Sequence, residues 1–212
     1  LMLVDLTLAA NAPARFFRAG LGDTLAKYLE STFSARGDEL GGALDHMSAI
    51  GVSLSSTCYD PIIRFGRQAL SEVEHREAGP AMEMCARSVI LSAGLVSLMA
   101  DDNYNCALAH AVCYGLQHFE HVEREYLHGD LVAYGALVQL AVDGQLDKAR
   151  ELRAFLVSLG TPVTLAQMRV PLEKTALHDA LIEATTGPDM AHIPYPVTQD
   201  MVFDAMRRVE TL

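Results

Sequence analysis

Leu21, Leu25, Leu29 and Phe33 recur every fourth residue in GDTLAKYLESTF, which lays one apolar stripe along a helix. The same period carries most of the chain. Leu44, Met47, Ile50 and Leu54 continue it within a helical region over 42–77 that Pro61 should break or kink. Pro80, a good first-turn residue, opens PAMEMCARSVILSAGLVSLMA. Further helices are expected over 104–119 and 128–142, the second ending before Gly144. QLDKARELRAFLVSLG follows and stops at Gly160, and TLAQ (Thr164 to Gln167) has the pattern of a capping box opening a short helix. Two more helices are expected around 172–185 and 198–209. LMLVDL is the one candidate strand, and no repeat of solenoid length is present. The expectation is an all-α protein, a multi-helix bundle of about eight to nine helices forming a single domain over residues 1–212.

Half of the residues are apolar, which is enough for a substantial core. The positive mean hydropathy points to apolar surface meant for a partner domain or subunit, so a homo-oligomer is expected. A formal charge of −11 argues against nucleic acid and against anionic membrane surfaces. The longest apolar runs, SVILSAGLVSLMA and LVAYGALVQLAV, fall short of the about 20 residues a membrane helix needs. No basic segment precedes the apolar start, which argues against a signal peptide. Cys58, Cys85, Cys106 and Cys113 include no C-x-x-C pair and read as free thiols, fitting a reducing cytoplasm. Neither G-x-G-x-x-G nor G-x-x-x-x-G-K-[ST] occurs, so the chain carries no visible phosphate cradle.

Four of the eight histidines fall within residues 107–135: His110, His118, His121 and His128. His118 and His121 lie in the charged stretch QHFEHVERE and read as solvent-facing. His110 sits among small apolar residues in ALAHAV, where an unpaired imidazole would cost about 1–3 kcal/mol. His128 opens the next helix, and Gly129 behind it permits close approach of backbone or ligand. Two imidazoles at the end of one helix hairpin could share a divalent cation if a third ligand, preferably an oxygen, joins them. Asp23, Asp101, Asp102, Asp130 and the glutamates of 120–125 are candidates that spacing alone does not separate. For Asp23 the plain structural reading is a helix N-cap, since it follows Gly22 where the apolar stripe begins.

Three passages, VDLTLAANAPARFFRAGLGDTLAKYLE, LAHAVCYGL…HGDLVAYGALVQL and IPYPVTQDMVFDAM, resemble the C-terminal helical domain of the glycerol dehydrogenase family. These are metal-dependent polyol and alcohol dehydrogenases that share a fold with dehydroquinate synthase. The resemblance runs over nearly all 212 residues and implies a metal held by one Asp and two His. Carried onto this chain, the family's GxGD motif gives Asp23, its AHAxxxG motif gives His110, and its HG-acid motif gives His128. Zinc is the implied metal, with Fe2+ or another divalent ion as alternatives. The chain departs from the family pattern around these residues. Cys106 replaces a Gly, Cys113 and Tyr114 replace His-Asn, HGD stands for HGE, and Ala191-His192 stands for His-Asn.

The resemblance further implies NAD as hydride acceptor, bound by an N-terminal nucleotide-binding domain that this chain does not include, and a small polyol as substrate. A secondary alcohol would be oxidised to a ketone, with the metal as Lewis acid. One carboxylate and two neutral imidazoles would leave a divalent site at net +1. Asp130 and Tyr126 are near enough in sequence to orient the imidazoles. Two alternatives remain: a non-catalytic metal-binding or assembly domain, and a same-fold enzyme for a phosphorylated alcohol, for which Lys27, Arg124 and Arg169 are the visible cations.

Overall fold

The computed structural model describes residues 3–41 and 44–212. Leu1, Met2, Gly42 and Ala43, on which the ends of the strand candidate and of the second helical region fall, lie outside the described residues. The chain is all-α, with no strand among the described residues. Its helices are α1 (Leu6–Ala10), α2 (Ala14–Gly41), α3 (His46–Leu54), α4 (Ser56–Glu74), α5 (Pro80–Arg87), α6 (Ala93–Met99), α7 (Leu108–Leu116), α8 (Glu120–Glu125), α9 (His128–Val142), α10 (Leu146–Ser158), α11 (His178–Thr186) and α12 (Gln199–Val209).

This is more segments than the apolar period alone suggests, and the differences have local causes. In LMLVDL, Asp5 caps α1 by accepting from the amides of Thr7 and Leu8, so the stretch enters a helix instead of a strand. The region over 42–77 divides at Ser55, and Pro61 is accommodated inside α4. The charged stretch after Phe119 is not solvent-facing throughout: it forms the helix α8, whose Val122 is fully buried. At TLAQ the capping contacts form, with Gln167 N donating to Thr164 Oγ1 and Val163 N to Gln167 Oε1. The chain nevertheless turns instead of spiralling, and Arg169 takes a positive φ of 56°. Gly160, at φ +73°, closes the segment after α10 as expected.

α9 is the axis of the molecule. From Gly129 to Ala141 every residue is buried, since α2, α7, α10 and α12 pack around it, and a helix apolar on all sides must lie in such a position. Two close contacts set its distance from its neighbours. A Cβ on Gly129 would lie 1.9 Å from the carbonyl oxygen of Ala19 on α2, and one on Gly135 would lie 2.1 Å from that of Ala109 on α7. Only glycine permits backbones to approach so closely. The main core spreads from α9 through Leu21, Leu25, Leu108, Val112, Leu137 and Leu156; a smaller cluster gathers Val52, Cys58, Val96 and Tyr104 at the α3–α6 end.

α5, a π turn over Ser88–Ser92 and α6 form one continuous rod, Pro80–Met99. PAMEMCAR joins SVILSAGLVSLM to make 20 residues, so among the described residues this rod is long and apolar enough to cross a membrane, contrary to the reading from the runs alone. Glu83 and Arg87 pair on its surface, and Leu91, Leu95 and Leu98 are exposed.

Candidate metal centre

Asp23 does not cap a helix. α2 begins at Ala14, after Pro13, so Asp23 stands in the middle of a long helix and projects its carboxylate toward α7 and α9. The N-cap reading failed because Gly-Asp before a leucine stripe has the same local pattern whether the helix starts there or nine residues earlier. His110 lies in the first turn of α7, and His128 is the first residue of α9. The three come from three helices, and one ligand atom from each lies within 4.8 Å of the others.

Asp23 Oδ1 is 3.4 Å from His110 Nε2 and 3.9 Å from His128 Nε2. The two imidazole centroids are 5.3 Å apart. A tetrahedral zinc site, with bonds of about 2.0–2.2 Å, keeps its donor atoms about 3.3–3.5 Å apart. The donor set fits a divalent cation: the Asp23–His110 spacing already matches, and the remaining separations, all within 4.8 Å, close through side-chain rotation. His110 is 6% exposed, whereas the side chains of Asp23 and His128 are 46% and 42% exposed. The cluster is closed on the α7 side and open to solvent on the other, as a site with one free coordination position would be. Tyr114 stands at this mouth, its ring centroid 6.1 Å from that of His110 and 6.0 Å from that of His128.

A residue that sequence reasoning missed anchors the cluster from behind. Glu30, on α2 two turns after Asp23, is fully buried. Its Oε1 accepts from the backbone N–H of Ala107 (2.8 Å) and of His110 (2.9 Å), and its Oε2 lies 2.7 Å from His110 Nδ1. Gln139, buried on α9, accepts from Ala109 N through Oε1 and donates through Nε2 to Leu29 O. The first amides of α7 are thus satisfied by side chains of two other helices, in place of a cap from its own sequence. The available signal was a glutamate within the apolar side of the α2 stripe, beside Leu29.

Burial alone would pull the His110 pKa down, but the adjacent Glu30 charge and the hydrogen bond to Asp23 outweigh it and raise it. Burial opposes ionisation of Asp23, yet the His110 hydrogen bond and the neighbouring imidazoles hold its carboxyl below the ordinary value. His128 is shifted down by burial, which Asp23 only partly offsets, so it favours the neutral form that ligates cations. Cys113, whose Sγ is 3.5 Å from His128 Nδ1, is a thiol pushed up to about 12 by burial. With Glu30 behind Asp23, two carboxylates face the cluster.

The other candidates lie elsewhere. Asp130 is bound by Arg18 through both guanidinium contacts, 3.0 and 2.9 Å, and Tyr126 donates to Gln167 O; neither orients an imidazole. Asp101 accepts from Asn103 N at the turn before α7. Glu120 pairs with Arg124, and Glu125 with Arg169. His118 is exposed as expected, but His121 is half-buried and holds the carbonyl of Met168 at 3.1 Å. All four cysteines are free; Cys106 is partly exposed and the others are buried.

An all-helical domain that brings a carboxylate and two imidazoles from separate helices to a half-open cleft is, as a class, a candidate metal-dependent catalytic domain. No family model matches the chain. It is similar to hydroxycarboxylate dehydrogenase A of Escherichia coli (strain K12), 31% identical over 213 residues that cover 100% of this chain and 58% of that protein. It is 32% identical to glycerol dehydrogenase of Thermotoga maritima over 216 residues, covering 99% of this chain and 57% of the relative. A crystal structure of a probable glycerol dehydrogenase from Sinorhizobium meliloti superposes with a TM-score of 0.83 at 26% identity, over 98% of this chain and 58% of that one. The chain is therefore homologous, along nearly its whole length, to part of the glycerol dehydrogenases, as the three sequence passages indicated. It spans little more than half the length of these relatives.

Proposed function

We propose that this chain is the metal-holding helical part of an NAD-dependent, glycerol dehydrogenase-like oxidoreductase that oxidises a secondary alcohol of a small polyol to a ketone. The observation that carries this reading is the approach of Asp23, His110 and His128 to within 4.8 Å at a half-open cleft. Homology to dehydrogenases along nearly the whole chain supports the reaction class.

Asp23, His110 and His128 would hold the cation, zinc by preference for two imidazole nitrogens and one carboxylate oxygen. When bound, a divalent cation supplies Lewis acidity that lowers the pKa of an alcohol hydroxyl. The chain's own residues do the rest of the work at this end of the reaction. Asp23 and Glu30 provide the negative charge that retains a cation. His110 is held rigidly by Glu30, and His128 faces the open side, where substrate would enter. Tyr114 stands beside both imidazoles at the exposed side of the cluster, where it would contact a bound substrate. Binding of NAD falls to a nucleotide-binding domain outside these residues. Four free thiols suit a reducing cytoplasm. Of the cations a phosphorylated substrate would need, Arg124 and Arg169 pair with glutamates, and Lys27, one turn after Asp23, donates to Asn105 O while its charge lowers the Asp23 pKa.

Titrating the purified chain with zinc in competition with a chromophoric chelator tests the metal reading; one tightly bound ion per chain is expected, and no binding refutes it. NADH formation from glycerol by the longest protein that contains this chain tests the reaction; failure with every small polyol refutes the substrate class.

A further inference from the structure

We infer that Glu30 is a positioning residue that keeps a proton on His110 Nδ1, so that Nε2, the nitrogen facing Asp23, is the one that gives up its proton when a cation binds. The two oxygens of Glu30 have separate tasks. Oε1 is occupied by the amides of Ala107 and His110, at 2.8 and 2.9 Å. Rotating the carboxylate would orphan both amides in a buried setting, so Oε2 is locked at 2.7 Å from Nδ1. A carboxylate oxygen only accepts, and Nδ1 must therefore donate. Capping α7 needs Oε1 alone, so the bond through Oε2 is an additional function. Asp23 and Glu30 are seven residues, about two turns, apart on α2 and grip the imidazole from opposite edges, Nε2 by one and Nδ1 by the other. Such carboxylate–histidine pairs orient metal ligands and typically alter affinity 10- to 100-fold.

The inference rests on the metal reading only for its effect on affinity; the protonation state of Nδ1 is measurable without metal. Glu30→Gln separates the two tasks. Its amide oxygen can still accept from Ala107 N and His110 N, so α7 stays capped. Its NH2 group then faces Nδ1, which must accept, and the proton moves to Nε2. In long-range 1H–15N spectra, Nδ1 of His110 is expected to carry a proton in the wild-type chain and to be bare in E30Q. Zinc affinity, by chelator competition, is expected to fall about 10- to 100-fold in E30Q with the circular dichroism spectrum unchanged. Wild-type zinc affinity in a folded E30Q protein, or an Nδ1 that stays protonated there, overturns the inference. Should E30Q fail to fold, the wild-type spectrum decides: a bare Nδ1 overturns the inference and a protonated one supports it. A wild-type chain that binds no zinc yet shows the expected protonation refutes the metal reading and leaves the role of Glu30 standing.

Discussion

Gly22 on α2 lies so close to Gly129 on α9 that a Cβ placed on it would be 2.5 Å from the Gly129 carbonyl oxygen. The residue after Gly22 is Asp23, and the residue before Gly129 is His128. This close approach of the two helices thus sits beside two of the three candidate ligands, and the glycines are what allow those side chains to meet.

Gly129→Ala should therefore damage both stability and site. The new methyl would meet Ala19 O at 1.9 Å and Asp23 Cβ at 3.1 Å, forcing α2 and α9 apart. Overpacking of this kind costs about 1–3 kcal/mol or more. Urea denaturation should show the loss, and zinc titration should show weakened binding; a variant with unchanged affinity would mean the helix spacing does not govern the cluster.

Zinc content should separate the histidines. His110→Ala and His128→Ala are expected to abolish tight binding, measured by elemental analysis of purified protein. His121→Ala should retain full content, because His121 bonds to Met168 O away from the cleft. Loss of zinc in the His121 variant would disprove the ligand assignment.

Asp143, at the C-terminus of α9, receives Arg36 at 2.7 Å and the Tyr195 hydroxyl at 2.9 Å. Burial raises its pKa, but the hydrogen bonds from Arg36, Gln145 and Tyr195 together outweigh burial and leave it below the ordinary value. A carboxyl with a depressed folded-state pKa adds stability that is present above its unfolded value, about 3.9, and is lost as pH falls through the folded value. Asp143→Asn should then cost about 1 kcal/mol at pH 7, a modest figure because the Arg36 side chain is 41% exposed and screened. The gap between wild type and variant in urea midpoints should close below about pH 4; a gap that is constant with pH would show that the ion pair contributes nothing.

Arg18 grips Asp130, which is buried, through two charge-assisted bonds between α2 and α9. Arg18→Ala leaves that carboxylate without its partner and should destabilise the fold by about 3 kcal/mol. Arg18→Ala combined with Asp130→Asn should recover part of the loss in thermal melts. No recovery would trace the cost to the lost Arg18 stem and not to the stranded charge.

The sequence by itself determined the helical class, the stops at Gly160 and before Gly144, and, through its motif resemblance, the three side chains that meet. The class and the stops follow from spacings of three to seven residues, which local backbone geometry reads directly; the three side chains are what the resemblance implied, since spacing did not separate the candidates. Only the tertiary structure decided that Asp23 stands in mid-helix, that Asp130 serves Arg18 and not an imidazole, that 120–125 is helical, and that Glu30 holds His110. Each depends on which helix lies opposite: Glu30 and His110 are 80 residues apart, and their contact exists because glycine-to-backbone crossings bring α2 and α7 against α9 at fixed depth. Periodicity along one helix says which face is buried, not which polar group it will face.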